Sequence, residues 1–155
     1  MNTTHTLKYI DIQRSMINNL ILAPTGHMGI SRSQMPQIDF KYRTDFITFM
    51  NRHGVATKNC RVPTRSLKLV QGEYDRDKVG SIISKGDIGD SPIFISIDGY
   101  VIDGNHRLIA QLNMPNAKSN YIKVTELGMP AKELLKLIDE FPHVRYRGLN
   151  ENKLK

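Results

Sequence analysis

The stretch from Pro92 to Ala110 constrains the fold more than any other part of the sequence, because three local patterns follow one another without a gap. Pro92–Ser96 is a nearly continuous apolar run, and the Asp98-Gly99 dipeptide after it is typical of a tight hairpin turn. A second short strand ends at Ile102, and the apolar residues from Leu108 onward follow helical spacing. The sequence therefore predicts a β-hairpin that leads through a polar loop into a helix.

The polar loop is Asp103-Gly104-Asn105-His106-Arg107, five consecutive residues with usable chemistry. The first N–H groups of a helix have no intrahelical partner, and the helix dipole adds partial positive charge there. Such a junction suits an anion, and His106 and Arg107 would add side-chain donors, so phosphate is the predicted ligand. A simpler interpretation stays open, in which Asp103 only caps the helix and Arg107 pairs with a surface carboxylate.

The order of elements around this loop resembles the ParB/sulfiredoxin superfamily, in the branch of ParB-like nuclease domains. Family members carry a leading strand with a polar Gln-x-Glu end, then a helix, a Pro-Ile strand and a D-G-x-H-R helix start. The resemblance spans about Val62 to Ala110, and the last motif is its most specific part. The matching segments are Leu67–Glu73, Asp77–Val79 with Ile82-Ile83, Pro92–Ile95 and Asp103–Ala110.

This resemblance implies a single α+β domain, with a small mixed sheet, flanking helices and an N-terminal helical extension. It also implies a nucleotide or phosphate site formed by Gly104, Asn105, His106 and Arg107 together with Gln71. Members include CTP-hydrolysing partition clamps, ATP-using sulfiredoxins, ADP-dependent serine kinases and nucleases. The implied cofactors are therefore Mg²⁺ and a nucleoside di- or triphosphate: ATP, ADP or CTP.

The chain departs from two branches of this family. Sulfiredoxins place their reactive cysteine where this sequence has Asn105, which argues against sulfinic-acid repair. The partition clamps carry Gly-Glu-Arg-Arg in the equivalent loop and a downstream helix-turn-helix domain, and neither pattern is found in this sequence. The reaction is not fixed by the superfamily alone.

The candidate catalytic residues are Glu73, His106 and Asp103. His106 is the best titratable group near neutral pH and could serve as acid, base or donor. Glu73 is the candidate base, since the family arrangement brings its strand end towards the loop; a solvated turn acid is an equally open interpretation. Asp103 and Glu73 are the candidate Mg²⁺ carboxylates. A further candidate group without motif support is Ser31, Arg32 and Gln34.

The net charge of +7 favours polyanionic partners, that is, nucleotides or DNA. We expect Lys58, Arg61 and Arg65 to lie near the face that carries Gln71 and Glu73. Arg145 and Arg147 flank an aromatic residue, a pattern compatible with contact to a nucleic-acid backbone. A generally solvated basic surface explains the same charges equally well.

Several classes of protein are disfavoured by composition. The single cysteine, Cys60, excludes an intrachain disulfide framework and is expected to be structural rather than nucleophilic. The five histidines fall at no ligand spacing, so neither zinc nor haem is expected, and the P-loop pattern is absent. No apolar run is long enough for a membrane span, and the expected location is the cytoplasm, that of the host if the protein is phage-encoded. A homodimer or a protein partner stays open.

The chain is expected to form one domain, with an N-terminal extension (1–60), a core (61–141) and a polar basic tail (142–155). The predicted elements are helices at Tyr9–Leu22, Thr44–His53, Asp75–Ser84, Asn105–Leu112 and Pro130–Phe141, and strands at Arg61–Val70, in the Pro92–Ile102 hairpin and at Tyr121–Val124. Gly54 is predicted to follow the end of its helix as a C-terminal cap.

Three functions remain open from sequence. The first is an enzyme that transfers phosphoryl groups or hydrolyses nucleotides at the 103–107 loop. The second is a DNA-binding nuclease or DNA-modifying enzyme that uses the same phosphate site. The third is a non-catalytic module that binds nucleotide or nucleic acid and acts through a partner protein.

Overall fold

The computed structural model describes residues 20–26, 28–115 and 117–146, with the side chains of 117 and 118 left out. The strands are β1 (Pro36–Gln37), β2 (Thr57–Pro63), β3 (Lys68–Leu69), β4 (Ile93–Ser96), β5 (Tyr100–Asp103), β6 (Tyr121–Leu127) and β7 (Arg145–Tyr146). The α-helices are α1 (Arg43–Arg52), α2 (Arg76–Lys85), α3 (Asn105–Leu112) and α4 (Ala131–Ile138). Short 3-10 turns lie at Arg32–Gln34, Phe40–Tyr42, Thr64–Ser66 and Ala117–Asn120. The predicted α+β class is confirmed.

Five strands form one mixed sheet in the order β2-β6-β4-β5-β3. β4 runs antiparallel to β5 but parallel to β6, and β3 runs parallel to β5. Beyond β3 the sheet continues through an isolated parallel bridge between Thr25 and Leu69. β1 and β7 form a separate antiparallel ribbon, in which Pro36 pairs with Tyr146 and Gln37 with Arg145.

The sheet is covered by helices on both faces, and the residues of β4 show why. All four β4 residues are buried. Ile93 and Ile95 join a core cluster with apolar residues of α2 and α3, whereas Phe94 joins a second cluster with residues of α1 and α4. Since side chains alternate across a strand, one short apolar run supplies both cores.

Helix boundaries follow from capping and apolar spacing. In α1, Phe46 and Met50 lie one turn apart and are fully buried, and Gly54 follows the helix with a φ of +78°. The Asp75 carboxylate caps α2 by accepting from the N–H groups of Asp77 and Lys78. The predicted helices in these two regions, at Asn105–Leu112 and after Pro130, are confirmed.

The structure differs from the predicted strands in two places. The predicted strand Arg61–Val70 is broken by the 3-10 turn Thr64–Ser66, because the chain leaves β2 at one edge of the sheet and enters β3 at the other. β2 includes residue 60, where the N-terminal extension was predicted to end, and it pairs with β6 along its whole length. The strand predicted at Tyr121–Val124 continues to Leu127.

The predicted helix Tyr9–Leu22 lies mostly outside the described residues, and residues 20–22 are neither helix nor strand. Of the predicted tail, residues 142–146 are described and include β7. No helix in the described part of the chain is long and apolar enough to cross a membrane.

Candidate functional site

The 103–107 loop lies at one end of the sheet and lines a cavity of about 400 Å³. β3 and β5 are parallel neighbours, so their carboxyl ends meet at this end of the sheet. Gln71, shortly after β3, and Asp103, the last residue of β5, therefore line the same cavity. Crevices outside the carboxyl ends of strands are common ligand sites in α/β proteins.

Gly104 allows the chain to turn from β5 into α3. Its φ is +125°, and a Cβ added there would lie 2.5 Å from Ile93 Cγ2. An L-residue at this position would be strained and would collide with the start of β4. Glycine is therefore required here for packing and for backbone conformation.

The first turn of α3 has no side-chain cap. Asp103, expected in the simpler interpretation to cap it, instead accepts a hydrogen bond from the Ile38 N–H through Oδ2 at 2.9 Å. The N-cap residue of α3 is Gly104, so Asp103 does not occupy the capping position. The first-turn N–H groups of Asn105, His106 and Arg107 have no intrahelical acceptor, and the N-cap residue Gly104 has no side chain that could accept from them.

Burial raises the pKa of Asp103 to about 6. The hydrogen bond from Ile38 and the positive charges of Arg107, Arg43 and Lys78 act in the opposite direction but do not cancel it. Asp103 can therefore exchange a proton close to neutral pH, as an acid–base group must.

His106, the predicted acid or base, contacts the backbone at the start of α2. Its Nε2 accepts the backbone N–H of Asp75 at 2.9 Å, which fixes that nitrogen as unprotonated and leaves Nδ1 to carry the proton. Burial, together with the charges of Arg32 and Lys78, lowers the pKa of His106 to about 4, against the opposing effect of Asp75. The ring is neutral at pH 7 and holds the start of α2 against α3.

Arg107 also donates hydrogen bonds within the protein. Its Nε donates to Ile88 O at 2.9 Å and its Nη2 donates to Ser91 O. The predicted phosphate clamp is thus oriented by the loop before β4, and Arg107 also lines a second cavity of about 540 Å³ with Arg61 and Lys123. Its charge remains beside Asp103.

Asn105 contributes an unsatisfied polar atom. Its Oδ1 is buried and has no hydrogen-bond partner among the described residues. Leaving a buried acceptor unpaired costs on the order of 1–3 kcal/mol. A hydroxyl donor on a bound ligand would satisfy it.

Further positive charges come from residues that the sequence motif did not include. Lys78 and Lys85 are seven residues apart on α2 and line the cavity with Ser81 and Ile82. This i, i+3, i+4, i+7 spacing places the four residues on one helix face, and it is a signal that sequence analysis could have used. Arg32, from the group without motif support, also lines the cavity and is only 4 % exposed.

Ser31 and Gln34, the other members of that group, bond to each other. The Ser31 N–H donates to Gln34 Oε1 at 3.0 Å, and the two residues form a capping box on the turn that carries Arg32. Ser31 and Gln34 do not line the cavity.

Glu73 lies outside the cavity of the 103–107 loop. Its Oε1 accepts the Arg32 N–H at 3.1 Å, and it lines a shallow depression with Thr25 and Ser31. Gln71 forms two hydrogen bonds with the Glu73 backbone, which closes a tight local turn. The expected role of Glu73 as a base at the loop is therefore not supported by its position.

The two carboxylates predicted to bind Mg²⁺ line different depressions. Asp103 is the sole carboxylate among the cavity-lining residues, and no group of three acidic, histidine or cysteine residues within the described ranges could hold a metal ion. Asp103 lines the cavity of the 103–107 loop and Glu73 lines the depression beside Thr25, so the two carboxylates do not share one cavity, and Mg²⁺ binding stays a prediction.

The predicted nucleic-acid contacts are dispersed. Lys58 and Arg61 lie on β2, at the opposite edge of the sheet from β3, which precedes Gln71 and Glu73 in the chain. Arg65 is exposed in the turn between those strands. Arg145 pairs with Asp39 at 2.7 Å, and Arg147 lies outside the described residues.

Comparisons of the chain with protein-family models, with curated proteins and with solved structures found no match.

Proposed function

We propose that this chain is a ParB/sulfiredoxin-like domain that binds the phosphate groups of a nucleotide in the cavity at the 103–107 loop and transfers or hydrolyses the terminal phosphoryl group. The observation that carries this proposal is the charge of the cavity. Arg32, Lys78, Lys85 and Arg107 line it together with the start of α3, and Asp103 is the one carboxylate among the described residues of the lining.

The charge of the cavity lining suits an anionic ligand. Four cations and one carboxylate line it among the described residues, and the charges of Arg32 and Lys78 add to burial in lowering the pKa of His106. A phosphate carrying two or more negative charges would be attracted to these cations and could accept hydrogen bonds from the α3 amides. The cavity volume of about 400 Å³ lies within the range of small-ligand pockets.

Asp103 is the cavity residue suited to proton transfer. As a hydroxyl or water oxygen attacks the terminal phosphorus, the carboxylate takes its proton, and the phosphorus–oxygen bond to the leaving nucleotide breaks with its electron pair. Arg107 and the lysines of α2 stabilise charge on the phosphoryl oxygens. His106 contributes as a positioning residue, because its Nε2 holds α2 against the start of α3.

Ligand-dependent melting tests the binding step. A nucleotide that binds the folded state should raise the melting temperature, with about 2.7 kcal/mol of stabilisation at a hundredfold excess over Kd. Lys78→Ala should reduce this shift, because it removes a charge from the cavity, whereas Lys132→Ala, at an exposed position of α4, should not. Absence of a shift with ATP, ADP, CTP and GTP would contradict the proposal.

Turnover distinguishes an enzyme from a binding module. Asp103→Asn should keep nucleotide binding and abolish phosphate release or transfer, since the amide preserves an acceptor for Ile38 but cannot take a proton. If the unmodified protein and Asp103→Asn bind nucleotide equally and the unmodified protein shows no turnover, the non-catalytic module is favoured.

A nucleic-acid substrate is the second candidate, favoured by the net charge of +7. In that case a phosphodiester would occupy the same cavity. Affinity for a single-stranded oligonucleotide should then fall steeply with salt, because each phosphate contact releases counterions.

A further inference from the structure

Phe40 is an exposed aromatic residue on an otherwise anchored segment. The side chain is 79 % exposed, more than any other large apolar residue within the described ranges. It lies in the 3-10 turn Phe40–Tyr42, between β1 and α1. The ring is therefore accessible to a ligand.

The chain on either side of Phe40 is part of the candidate site. Gln37 lines the cavity, and the Ile38 N–H donates to Asp103. Three residues span at most about 11 Å, so Phe40 is within that distance of the cavity wall at Gln37. On the other side, Arg43 donates to Pro92 O at 2.9 Å, and its charge acts on Asp103.

The residues adjacent to Phe40 are held in place by the C-terminal part of the described chain. Asp39 accepts from Arg145 at 2.7 Å, and the Tyr42 ring stacks on His143 with centroids 4.0 Å apart. Lys41 lies over the Tyr42 ring at 5.1 Å. Phe40 therefore projects from a fastened turn, and little conformational entropy would be lost when a flat ligand stacks on it.

We propose that Phe40 is the platform on which the nucleobase stacks when the phosphates of the same ligand occupy the cavity. This inference rests on the proposed function and specifies its substrate class as a base-bearing phosphate rather than a phosphate alone. A single aromatic face stacks on any base, since every base has a π-face. The Phe40 ring should therefore bind nucleotides whatever their base.

The first test compares ligands with and without a base. Phe40→Ala should weaken binding of ATP and CTP about tenfold, the effect expected for loss of one base–aromatic stack, and leave inorganic tripolyphosphate unchanged. Ile97→Ala is the matched control: Ile97 is also exposed, at 55 %, but it lies in the turn at the other end of β4 and should change neither affinity.

The second test uses fluorescence. The chain has no tryptophan, so Phe40→Trp would place a single reporter at the site. Its emission should be quenched on addition of ATP or CTP but not of tripolyphosphate, and Ile97→Trp should respond to neither. A single-stranded oligonucleotide that quenches Phe40→Trp, where free nucleotides do not, would support the stacking role with a polynucleotide as its source.

The outcomes separate this inference from the proposed function. Nucleotide binding that is equally strong in the unmodified protein and Phe40→Ala would overturn the stacking role and leave the phosphate site intact. Equal weakening of nucleotide and tripolyphosphate binding in Phe40→Ala would overturn it as well. No binding of nucleotide, oligonucleotide or tripolyphosphate would overturn both.

Discussion

Replacing Asp103 with asparagine should make the protein more stable above pH 6. The carboxylate is partly buried at the end of β5, and burial disfavours its ionised form even though Arg107, Arg43 and Lys78 lie close by. Asparagine keeps an oxygen that can accept the Ile38 N–H and removes the charge. The variant should therefore behave like the protonated form of the native side chain at every pH.

The expected gain follows from the pKa of Asp103. That pKa rises from an ordinary value of 3.8 to about 6. Each pKa unit corresponds to about 1.4 kcal/mol, so the ionised carboxylate costs the folded state about 3 kcal/mol above pH 6. In a protein of this size, that difference corresponds to an increase in melting temperature of roughly 6–12 °C.

The pH dependence gives the sign of the effect. Between pH 3.8 and about 6 the folded state holds the Asp103 proton more tightly than the unfolded state does, so the native protein loses stability as pH rises through this window. The stability of Asp103→Asn should lack this contribution. The two melting temperatures should therefore agree near pH 4 and separate by pH 7.

Thermal unfolding followed by circular dichroism in buffers from pH 4 to pH 8 measures this difference. Asp90→Asn, in an exposed position of the loop before β4, should change the free energy of unfolding by less than about 0.5 kcal/mol. If Asp103→Asn melts at or below the native temperature at pH 8, attraction to the neighbouring cations outweighs burial, and the argument for Asp103 as a proton-transfer group fails.

His106→Gln should remove a pH dependence opposite in sign to that of Asp103. The native protein loses stability as pH falls from 6.5 towards 4, because the unfolded state binds the histidine proton at a higher pH than the folded state does. Melting curves of both proteins across that pH range would show the difference. Gly104→Ala should destabilise the fold by about 2–4 kcal/mol through strain and the collision with Ile93, whereas Gly54→Ala, which shares the positive φ but meets open space, should cost only about 1 kcal/mol in denaturant titration. A similar loss in both variants would show that the collision relaxes easily. Arg107→Lys should accelerate hydrogen exchange in the loop from Gly86 to Ser91, since lysine cannot bond both carbonyls in the same fork; unchanged exchange would mean that other contacts hold the loop.

Local patterns predicted those elements whose signals lie close together in sequence. The hairpin turn at Asp98-Gly99, the helix start at Asn105 and the apolar turns of α1 and α4 all depend on neighbours a few residues apart. The 103–107 loop was identified for the same reason. Its residues are contiguous, and the junction of strand and helix places them together in the fold.

The rest of the site depends on contacts between distant segments. Arg32 reaches the cavity because β1 and the turn before it pack over the end of the sheet, and no local pattern encodes that packing. Contacts between distant segments also pair Asp103 with Ile38, 65 residues away, and His106 with Asp75, 31 residues away. Glu73 lines a different depression because a resemblance specifies the end of a strand but not the direction of a side chain.

The pairing of β1 with β7 links the end of the described chain to the candidate site. β1 supplies Pro36 and Gln37 to the cavity wall, and its partners on β7 are Tyr146 and Arg145. None of the five strands of the main sheet needs this ribbon for its own hydrogen bonds. Loss of β7 should therefore separate stability from ligand binding. The core would stay folded, whereas the cavity wall and the Phe40 turn would lose their support. Binding would then depend on a segment that contributes little to global stability.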